Sequence, residues 1–221
     1  MRIFIVENHP DTLKCLKMYL ESLGHSVTTA CTMQAALAAS PTEDCHVLLS
    51  DLGLADGDGW QFLEQAKFPQ PVYAVAMSGF AAESDLARSK AAGFRRHIVK
   101  PFGGEYLREA LEEAARELEA RTPEMQAQNT PPPPRKKPAA RKASCLTPGQ
   151  IADRLHHSAC QSLIAARLLL TVARNQLPQD AADVRQQLMK VDGLLDYSSA
   201  ELSALMKELR TAPEKDSAAK S

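Results

Sequence analysis

The chain has 221 residues, of which 44% are hydrophobic, and a formal net charge of −1. This length provides one or two domains with a sizeable core, and the five scattered cysteines fit reduced thiols better than a disulfide framework. No apolar run approaches the roughly 20 residues that cross a bilayer. We therefore expect a cytoplasmic protein with no membrane partner.

The charge is distributed unevenly along the chain. Residues 121–148 contain six Arg or Lys and one Glu, which leaves +5 in this segment and −6 in the rest. Seven of the fourteen prolines also fall in 122–148. This composition predicts an extended linker between a first domain at 1–121 and a second at 149–212, while the polar residues 213–221 predict a disordered tail. Outside the linker, no region is basic enough to predict nucleic-acid binding.

Short apolar runs alternate with helical patterns along the first domain. The runs predict five strands, at Arg2–Val6, His25–Ala30, His46–Ser50, Val72–Met77 and Arg95–Val99. Helices are predicted to begin at Pro10 or Asp11 and end at Gly24, to span Met33–Ala39 and Trp60–Lys67, to span Ala81–Ala92 with Gly93 as the cap, and to lie around Leu107–Leu118. This alternation favours an α/β fold with a doubly wound, five-stranded parallel sheet.

Side chains with useful chemistry follow four of the predicted strands. Glu7 follows the first strand, Asp51 the third, Ser78 the fourth and Lys100 the fifth. Because the carboxyl ends of parallel strands share one edge of a sheet, we expect these residues to lie together. Neighbouring carboxylates suit Mg²⁺, whereas a lysine and a hydroxyl suit a phosphoryl group. The pattern therefore indicates an aspartate that accepts phosphoryl groups.

Residues 1–120 resemble the receiver domain of bacterial two-component response regulators. The resemblance is carried by Glu7-Asn8, by Asp51 in DLGLADGDGW, by Ser78-Gly79 and by Lys100-Pro101. It implies a flavodoxin-like sheet in the order 2-1-3-4-5, in which strands one and three flank the crevice.

The resemblance also implies a role for each site residue. Asp51 would be phosphorylated from a phosphohistidine of a histidine kinase or phosphotransfer protein, with Mg²⁺ bound. Ser78 would supply the hydroxyl that follows the phosphoryl group, and Lys100 would be its counter-ion. Gly53 would give a backbone carbonyl to the metal.

Two positions depart from the pattern of the family. Asn8 stands beside Glu7 where the family usually has a second carboxylate, so we expect a weaker metal site, although an amide oxygen can still bind a cation. His97, three residues before Lys100, stands where the family usually has a tyrosine or phenylalanine that belongs to the output switch. We therefore expect a switch that is weak or works differently.

Residues 149–212 return to helical periodicity and predict a hairpin of two helices. Ile151, Leu155 and Leu169 predict one face of a first helix that runs to about Arg174. The second helix contains a seam with alternating steps of four and three, at Val184, Leu188, Val191, Leu195, Ser198, Leu202, Leu205 and Leu209. This heptad seam predicts supercoiled packing. Because two helices alone bury little, we expect a homodimer that forms a four-helix bundle.

The segment ADRLHHSACQSL, residues 152–163, resembles the dimerisation and phosphotransfer helix of histidine kinases that pair with helix-turn-helix regulators. The match rests on Leu155-His156, Gln161 and Leu163, and it implies that His156 is a second phosphoryl station. His157 replaces the acidic residue that usually follows this histidine. The sequence contains no P-loop or glycine-rich ATP-binding domain, so we do not expect a complete histidine kinase.

These observations leave three interpretations open. In the first, phosphoryl groups pass between Asp51, His156 and partner proteins. In the second, phosphorylation of Asp51 controls dimerisation or docking of a hairpin whose histidines only face solvent. The third, DNA binding, comes from a superficial likeness of QIADRLHHS to a helix-turn-helix motif. Residues 159–163 lack the pattern of a recognition helix and the region is not basic, which argues against it.

Overall fold

The computed structural model describes residues 1–40, 42–79, 82–120, 148–178 and 180–211. The predicted linker, apart from Pro148, and the predicted tail lie outside the described residues. The elements, in chain order, are β1 (Arg2–Val6), α1 (Pro10–Ser22), β2 (Ser26–Ala30), α2 (Met33–Ala39), β3 (Val47–Asp51), α3 (Gly59–Gln65), β4 (Tyr73–Ser78), α4 (Glu83–Ala92), β5 (Arg96–Val99), α5 (Gly104–Ala120), α6 (Pro148–Gln176) and α7 (Ala182–Thr211). Within these described ranges, no helix has the length and apolar character that crossing a membrane requires.

The strands form a parallel sheet in the order β2-β1-β3-β4-β5. Strand β1 lies between β2 and β3, so that Val6 is paired with both Ala30 and Ser50. Asp51, the last residue of β3, is paired with Met77 of β4. The predicted five-stranded parallel sheet is confirmed. Because the order of the strands reverses at β1, the carboxyl ends of β1 and β3 border a crevice.

Helices cover both faces of the sheet, as the alternation along β1 shows. Ile3 and Ile5 belong to a buried cluster with residues of α1 and α5. Phe4 and Val6 belong to a second buried cluster with residues of α2 and α3. A strand with apolar residues on both faces is typical of a sheet that lies between two layers of helices.

Several helix ends follow from local signals in the sequence. The Asp58 carboxylate caps α3 by accepting a hydrogen bond from the Gln61 N–H at 2.7 Å. Pro10 lies in the first turn of α1, where no backbone N–H is needed for helical hydrogen bonding. Gly93 follows α4 with a φ of +102°, a left-handed conformation that favours glycine. The predicted cap at Gly93 is therefore confirmed.

Helix α6 packs against the first domain, which the sequence analysis does not predict. Ile164, Leu168 and Val172 of α6 are buried in the same cluster as the apolar residues of α1 and α5. Leu169 does not belong to this buried stripe, because its side chain is 44% exposed. One residue advances a helix by about 100°, so Leu168 and Leu169 cannot share a narrow face. The side chains of Ile151 and Leu155 lie outside the described part of the chain.

The heptad seam predicted in α7 is divided between two environments. Its half-buried members are Leu188, Leu195 and Leu202. Its exposed members are Val184, Val191, Ser198 and Leu205. Asp192 lies on the half-buried side, where its carboxylate is 3.7 Å from Arg167 Nε and 3.8 Å from Arg174 Nη1, both of α6. One side of the seam therefore faces α6, and the other remains on the surface.

Candidate functional site

The carboxyl edge of the sheet brings together the four residues that the sequence places at strand ends. Glu7 directly follows β1, Asp51 ends β3, Ser78 ends β4 and Lys100 directly follows β5. Their exposed fractions are 0% for Glu7, 2% for Asp51, 4% for Ser78 and 2% for Lys100. Four buried polar residues at one sheet edge require mutual partners, because an unpaired charge in the interior is costly.

Lys100 lies between the two carboxylates. Its Nζ is 2.8 Å from Glu7 Oε2 and 2.9 Å from Asp51 Oδ2. The Lys100 backbone N–H also donates to the Ser78 carbonyl at 2.7 Å, and the peptide bond to Pro101 is cis. The site therefore contains one buried cation and two buried carboxylates.

Burial and charge act against each other at this site. Burial alone would lower the pKa of Lys100, but Asp51 and Glu7 outweigh it and leave the pKa above its usual value of 10.5. Burial raises the pKa of Glu7, and Lys100 opposes this rise while Asp51 adds to it. Lys100 is consequently charged at neutral pH and neutralises part of the negative charge of the pair.

The loop after β3 holds Asp51 through backbone contacts. The Gly53 N–H donates to Asp51 Oδ1 at 3.0 Å, and the Leu52 N–H donates to the Met77 carbonyl at 2.9 Å. Gly59 returns to the strand end so closely that a Cβ at this position would lie 2.5 Å from the Asp51 carbonyl oxygen. The glycines of this loop thus permit a close return of the backbone to the carboxylate.

The comparisons with known proteins agree on the first domain. The family model described as response regulator receiver domain matches residues 3–112. A receiver domain protein (CheY-like) from Methanospirillum hungatei JF-1 is 31% identical, and the match covers 54% of this chain and 96% of that chain with a TM-score of 0.51. The chain belongs to the response regulator receiver family.

Relatives extend the match in two ways. KdpE, the KDP operon transcriptional regulatory protein of Escherichia coli (strain K12), is 32% identical over 120 residues. That match covers 54% of this chain and 53% of KdpE, so the chain spans about half the length of that relative. The virulence sensor protein BvgS of Bordetella parapertussis is 27% identical over 199 residues, which cover 86% of this chain and 14% of BvgS. The BvgS match therefore continues beyond the receiver domain into the α6–α7 hairpin.

The oxygen atoms of the receiver site fit a hard divalent cation. Besides the carboxylates of Glu7 and Asp51, the Asn8 Oδ1 atom is buried and has no hydrogen-bond partner within the described residues. Carboxylate and amide oxygens are ligands that such cations accept. No group of three or more His, Cys, Asp and Glu side chains that could hold a metal occurs in the part of the chain that the structure describes. The amide of Asn8 would therefore matter to a metal here.

His97 is connected to two helices of the receiver domain. Its Nδ1 atom is 3.0 Å from the Oγ of Ser89 in α4, and the Nε1–H of Trp60 in α3 donates to the same Oγ at 2.9 Å. The Arg88 guanidinium stacks 3.9 Å from the centre of the Trp60 ring and pairs with Asp58 at 3.2 Å. The structure thus places the predicted switch residue in a polar chain that joins β5 to α4 and α3.

Helix α6 also contacts the receiver site, and no pattern in the sequence predicts this contact. Gln161 Nε2 lies 3.4 Å from Glu7 Oε1, and the Thr12 hydroxyl donates to the Gln161 carbonyl at 3.3 Å. Gln161 appears in the sequence only as a motif match in the hairpin, and no periodicity indicates which surface it contacts. The backbone of His156 lies in α6, five residues before Gln161, but its side chain lies outside the described residues.

Proposed function

We propose that Asp51 accepts a phosphoryl group from a phosphohistidine of a histidine kinase or phosphotransfer protein. The observation that carries this proposal is the buried Lys100 ammonium, which contacts both Asp51 and Glu7 at the carboxyl edge of the sheet. In the reaction, an Asp51 carboxylate oxygen forms a bond to phosphorus while the bond from phosphorus to the donor imidazole nitrogen breaks. The donor imidazole, which carries a proton on its other ring nitrogen before the transfer, leaves as neutral imidazole, and Asp51 becomes an acyl phosphate.

The neighbouring side chains supply the charge and hydrogen bonds that this reaction needs. Lys100 already contacts Asp51 Oδ2 at 2.9 Å and neutralises charge on the phosphoryl oxygens. The Ser78 hydroxyl at the end of β4 donates a hydrogen bond to the transferred group. Burial of these groups strengthens their interactions, because the local dielectric is lower than that of water.

Mg²⁺ is the cation that we propose for this site. Glu7, Asn8 and Asp51 would hold it together with the Gly53 carbonyl, and the buried Asn8 Oδ1 atom supports this assignment. When bound, Mg²⁺ neutralises negative charge on the phosphoryl oxygens. The cytoplasm is the proposed location, which suits the free thiols of Cys15, Cys31 and Cys45.

We further propose that His156 carries a second phosphoryl station. The resemblance of the α6 sequence to histidine-kinase phosphotransfer helices supports it, as does the BvgS match that covers 86% of the chain. Five residues, or about 7.5 Å of helix axis, separate the His156 backbone from Gln161, which touches the receiver site. Imidazole can carry a phosphoryl group because its nitrogen is partly unprotonated near neutral pH.

The alternative is a docking module in which the hairpin transfers nothing. The buried contact of α6 with α1 and α5 favours this candidate, because a docked helix can respond to the receiver without chemistry of its own. The two candidates share phosphorylation of Asp51. They differ only in whether His156 ever receives the group.

Incubation with Mg²⁺ and a radiolabelled small acyl phosphate tests both candidates. We expect wild type to incorporate label and Asp51→Asn to incorporate almost none, because the amide is not a nucleophile. After the donor is removed, the relay predicts that the alkali-labile label on Asp51 is converted to alkali-stable label on a histidine. This alkali-stable label should be absent in His156→Ala and present in the control His157→Ala. If the label in wild type never becomes alkali-stable, the relay is contradicted and the docking module is the remaining candidate. Unlabelled wild type would contradict the receiver function.

The exposed side of the α7 seam supports a homodimer. Leu194 and Tyr197 are 66% and 63% exposed, and Val191 and Leu205 of the same helix are 42% and 57% exposed. Apolar residues repeated along one helix side need a cover, and a second copy provides a matching seam. We expect wild type to sediment as a dimer and Leu194→Glu as a monomer, with Ala200→Glu, at an exposed position on a different side of α7, as the control. A wild type that stays monomeric at all concentrations would contradict this proposal.

A further inference from the structure

Helix α6 covers part of the receiver domain beside the phosphorylation site. Ile164, Leu168 and Val172 are 0%, 0% and 7% exposed, and they share a cluster with residues of α1 and α5. These three residues follow one another in steps of four, so they form a continuous apolar stripe along α6. Burial of such a stripe fixes the helix on the receiver surface by the hydrophobic effect.

One turn before this apolar stripe, the polar residue Gln161 contacts Glu7, one of the carboxylates that we propose for the cation site. Gln161 is fully buried, and its Nε2 lies 3.4 Å from Glu7 Oε1. The preceding residue, Cys160, is also buried, and burial raises the pKa of its thiol to about 11 although Lys100 lowers it. The helix is thus anchored on both an apolar surface and a polar one.

Ion pairs from Arg167 also connect α6 to its neighbouring helices. Arg167 contacts Glu105 of α5 at 3.0 Å and Asp196 of α7 at 2.6 Å. Its side chain is 8% exposed, whereas those of Glu105 and Asp196 are more than half exposed. Ion pairs with exposed partners stabilise weakly, so the apolar stripe and Gln161 dominate the docking.

The hydrogen bonds of Glu7 show why docking would affect a cation. Oε1 accepts from the His9 N–H at 3.0 Å and from Gln161 Nε2, while Oε2 accepts from Lys100. Each carboxylate oxygen has about two lone pairs, so a cation that binds Oε1 must displace a donor. The His9 N–H belongs to the backbone directly after the strand, whereas Gln161 comes from a separate helix. Gln161 is therefore the donor that leaves.

We propose that docked α6 is an intramolecular cap on the phosphorylation site, in which Gln161 competes with the cation for Glu7. The proposal rests on the receiver function of Asp51 and does not depend on transfer to His156. A donor N–H next to a cation site also repels the cation, which adds to the competition. Because coupling between two binding events is reciprocal, Mg²⁺ must loosen α6 by the same factor by which α6 weakens Mg²⁺ binding.

Calorimetric titration of Mg²⁺ tests the competition directly. We expect Gln161→Ala to bind Mg²⁺ about threefold to tenfold more tightly than wild type, the effect of removing a long hydrogen bond to a charged group. Leu168→Glu should act in the same direction by undocking the helix. Leu169→Glu is the matched control. The Leu169 side chain is next to Leu168 in the sequence but is 44% exposed, so this variant should bind Mg²⁺ like wild type. If Gln161→Ala binds Mg²⁺ as tightly as wild type, the proposed cap is contradicted. If it binds Mg²⁺ more weakly, the cap is also contradicted, and Gln161 is instead a ligand of the cation.

Hydrogen exchange supplies a readout that needs no phosphorylation. Amides of residues 160–172 should exchange faster in wild type when saturating Mg²⁺ is added, while those of the β3 strand should not change. Equal exchange of 160–172 with and without Mg²⁺ would contradict the proposal. If no variant is phosphorylated on Asp51 but the Mg²⁺ affinity and the hydrogen exchange change as stated, the proposed phosphorylation is contradicted and the cap is supported. If all variants are phosphorylated equally and neither quantity changes, only the cap fails.

Discussion

We expect Lys100→Met to lower the free energy of unfolding by about 3–5 kcal/mol at pH 7 in the absence of Mg²⁺. The variant leaves the buried carboxylates of Glu7 and Asp51 without the ammonium that lies 2.8 and 2.9 Å from them. Removal of one partner from a buried charge cluster is costly because the remaining charges cannot be hydrated. Urea denaturation at constant ionic strength measures the loss.

The loss should depend on pH in a defined direction. Burial already raises the pKa of Glu7 above its usual value of 4.5, and Lys100 is the group that opposes this rise. Without Lys100 the pKa of Glu7 rises further, so the folded variant binds a proton more readily than the unfolded chain. Stability of the variant therefore decreases as pH rises through the range above 4.5, and the gap from wild type is smaller at pH 5 than at pH 8.

Two companion variants make the Lys100 prediction specific. Lys90→Met changes an exposed lysine of α4 and should alter stability by less than about 0.5 kcal/mol. The double variant Lys100→Met/Asp51→Asn also removes one of the two buried negative charges that repel each other. It should therefore recover part of the stability that Lys100→Met loses. A Lys100→Met protein that is as stable as Lys90→Met, or a double variant with additive losses, would contradict the electrostatic account.

Gly59→Ala should lower the free energy of unfolding by about 1–3 kcal/mol. Its Cβ would lie 2.5 Å from the Asp51 carbonyl oxygen and 3.1 Å from the Leu52 Cα, and neither backbone atom can move without distorting the end of β3. Because the same loop presents the Gly53 N–H to Asp51 Oδ1, the distortion should also slow phosphorylation of Asp51 by a small acyl phosphate.

Gly193→Ala is the matched control and should have the opposite sign. Apart from the nearby backbone of α7 itself, no atom of the described residues lies within 4 Å of a Cβ at this position, which is in the interior of α7. Alanine stabilises a helix interior relative to glycine by roughly 0.5–1 kcal/mol. Thermal unfolding of both variants would settle the comparison. A Gly59→Ala protein that gains stability like Gly193→Ala would show that the β3–α3 loop adjusts freely.

The receiver fold could be predicted from the sequence because its signals are local. Apolar runs, the glycine after α4 and the proline that begins α1 each act on neighbouring residues, and the alternation of strands and helices follows from them. The meeting of Glu7, Asp51, Ser78 and Lys100 could also be predicted, since every parallel strand delivers its last residues to the same edge. Their roles in phosphoryl transfer stay a prediction.

The contact of α6 with the receiver domain could not be predicted in the same way. The steps of four between Ile164, Leu168 and Val172 indicate that a face is buried, but a helical period carries no information about the surface that covers it. The seam of α7 shows the same limit. Its regular steps predict one continuous interface, whereas Leu195 is half-buried and Val191 is 42% exposed. Only the three-dimensional packing assigns each side of the seam to a neighbour.

The apolar cluster shared by α6 and the sheet also predicts how a shortened form of this protein behaves. Residues 3–112 match the family, yet Ile164, Leu168 and Val172 complete the apolar layer that begins with Ile3 and Ile5 of β1. A fragment that ends at residue 120 leaves the α6-facing side of α1 and α5 in water. Such a fragment should unfold with a smaller denaturant m-value than the full chain and self-associate through the uncovered surface.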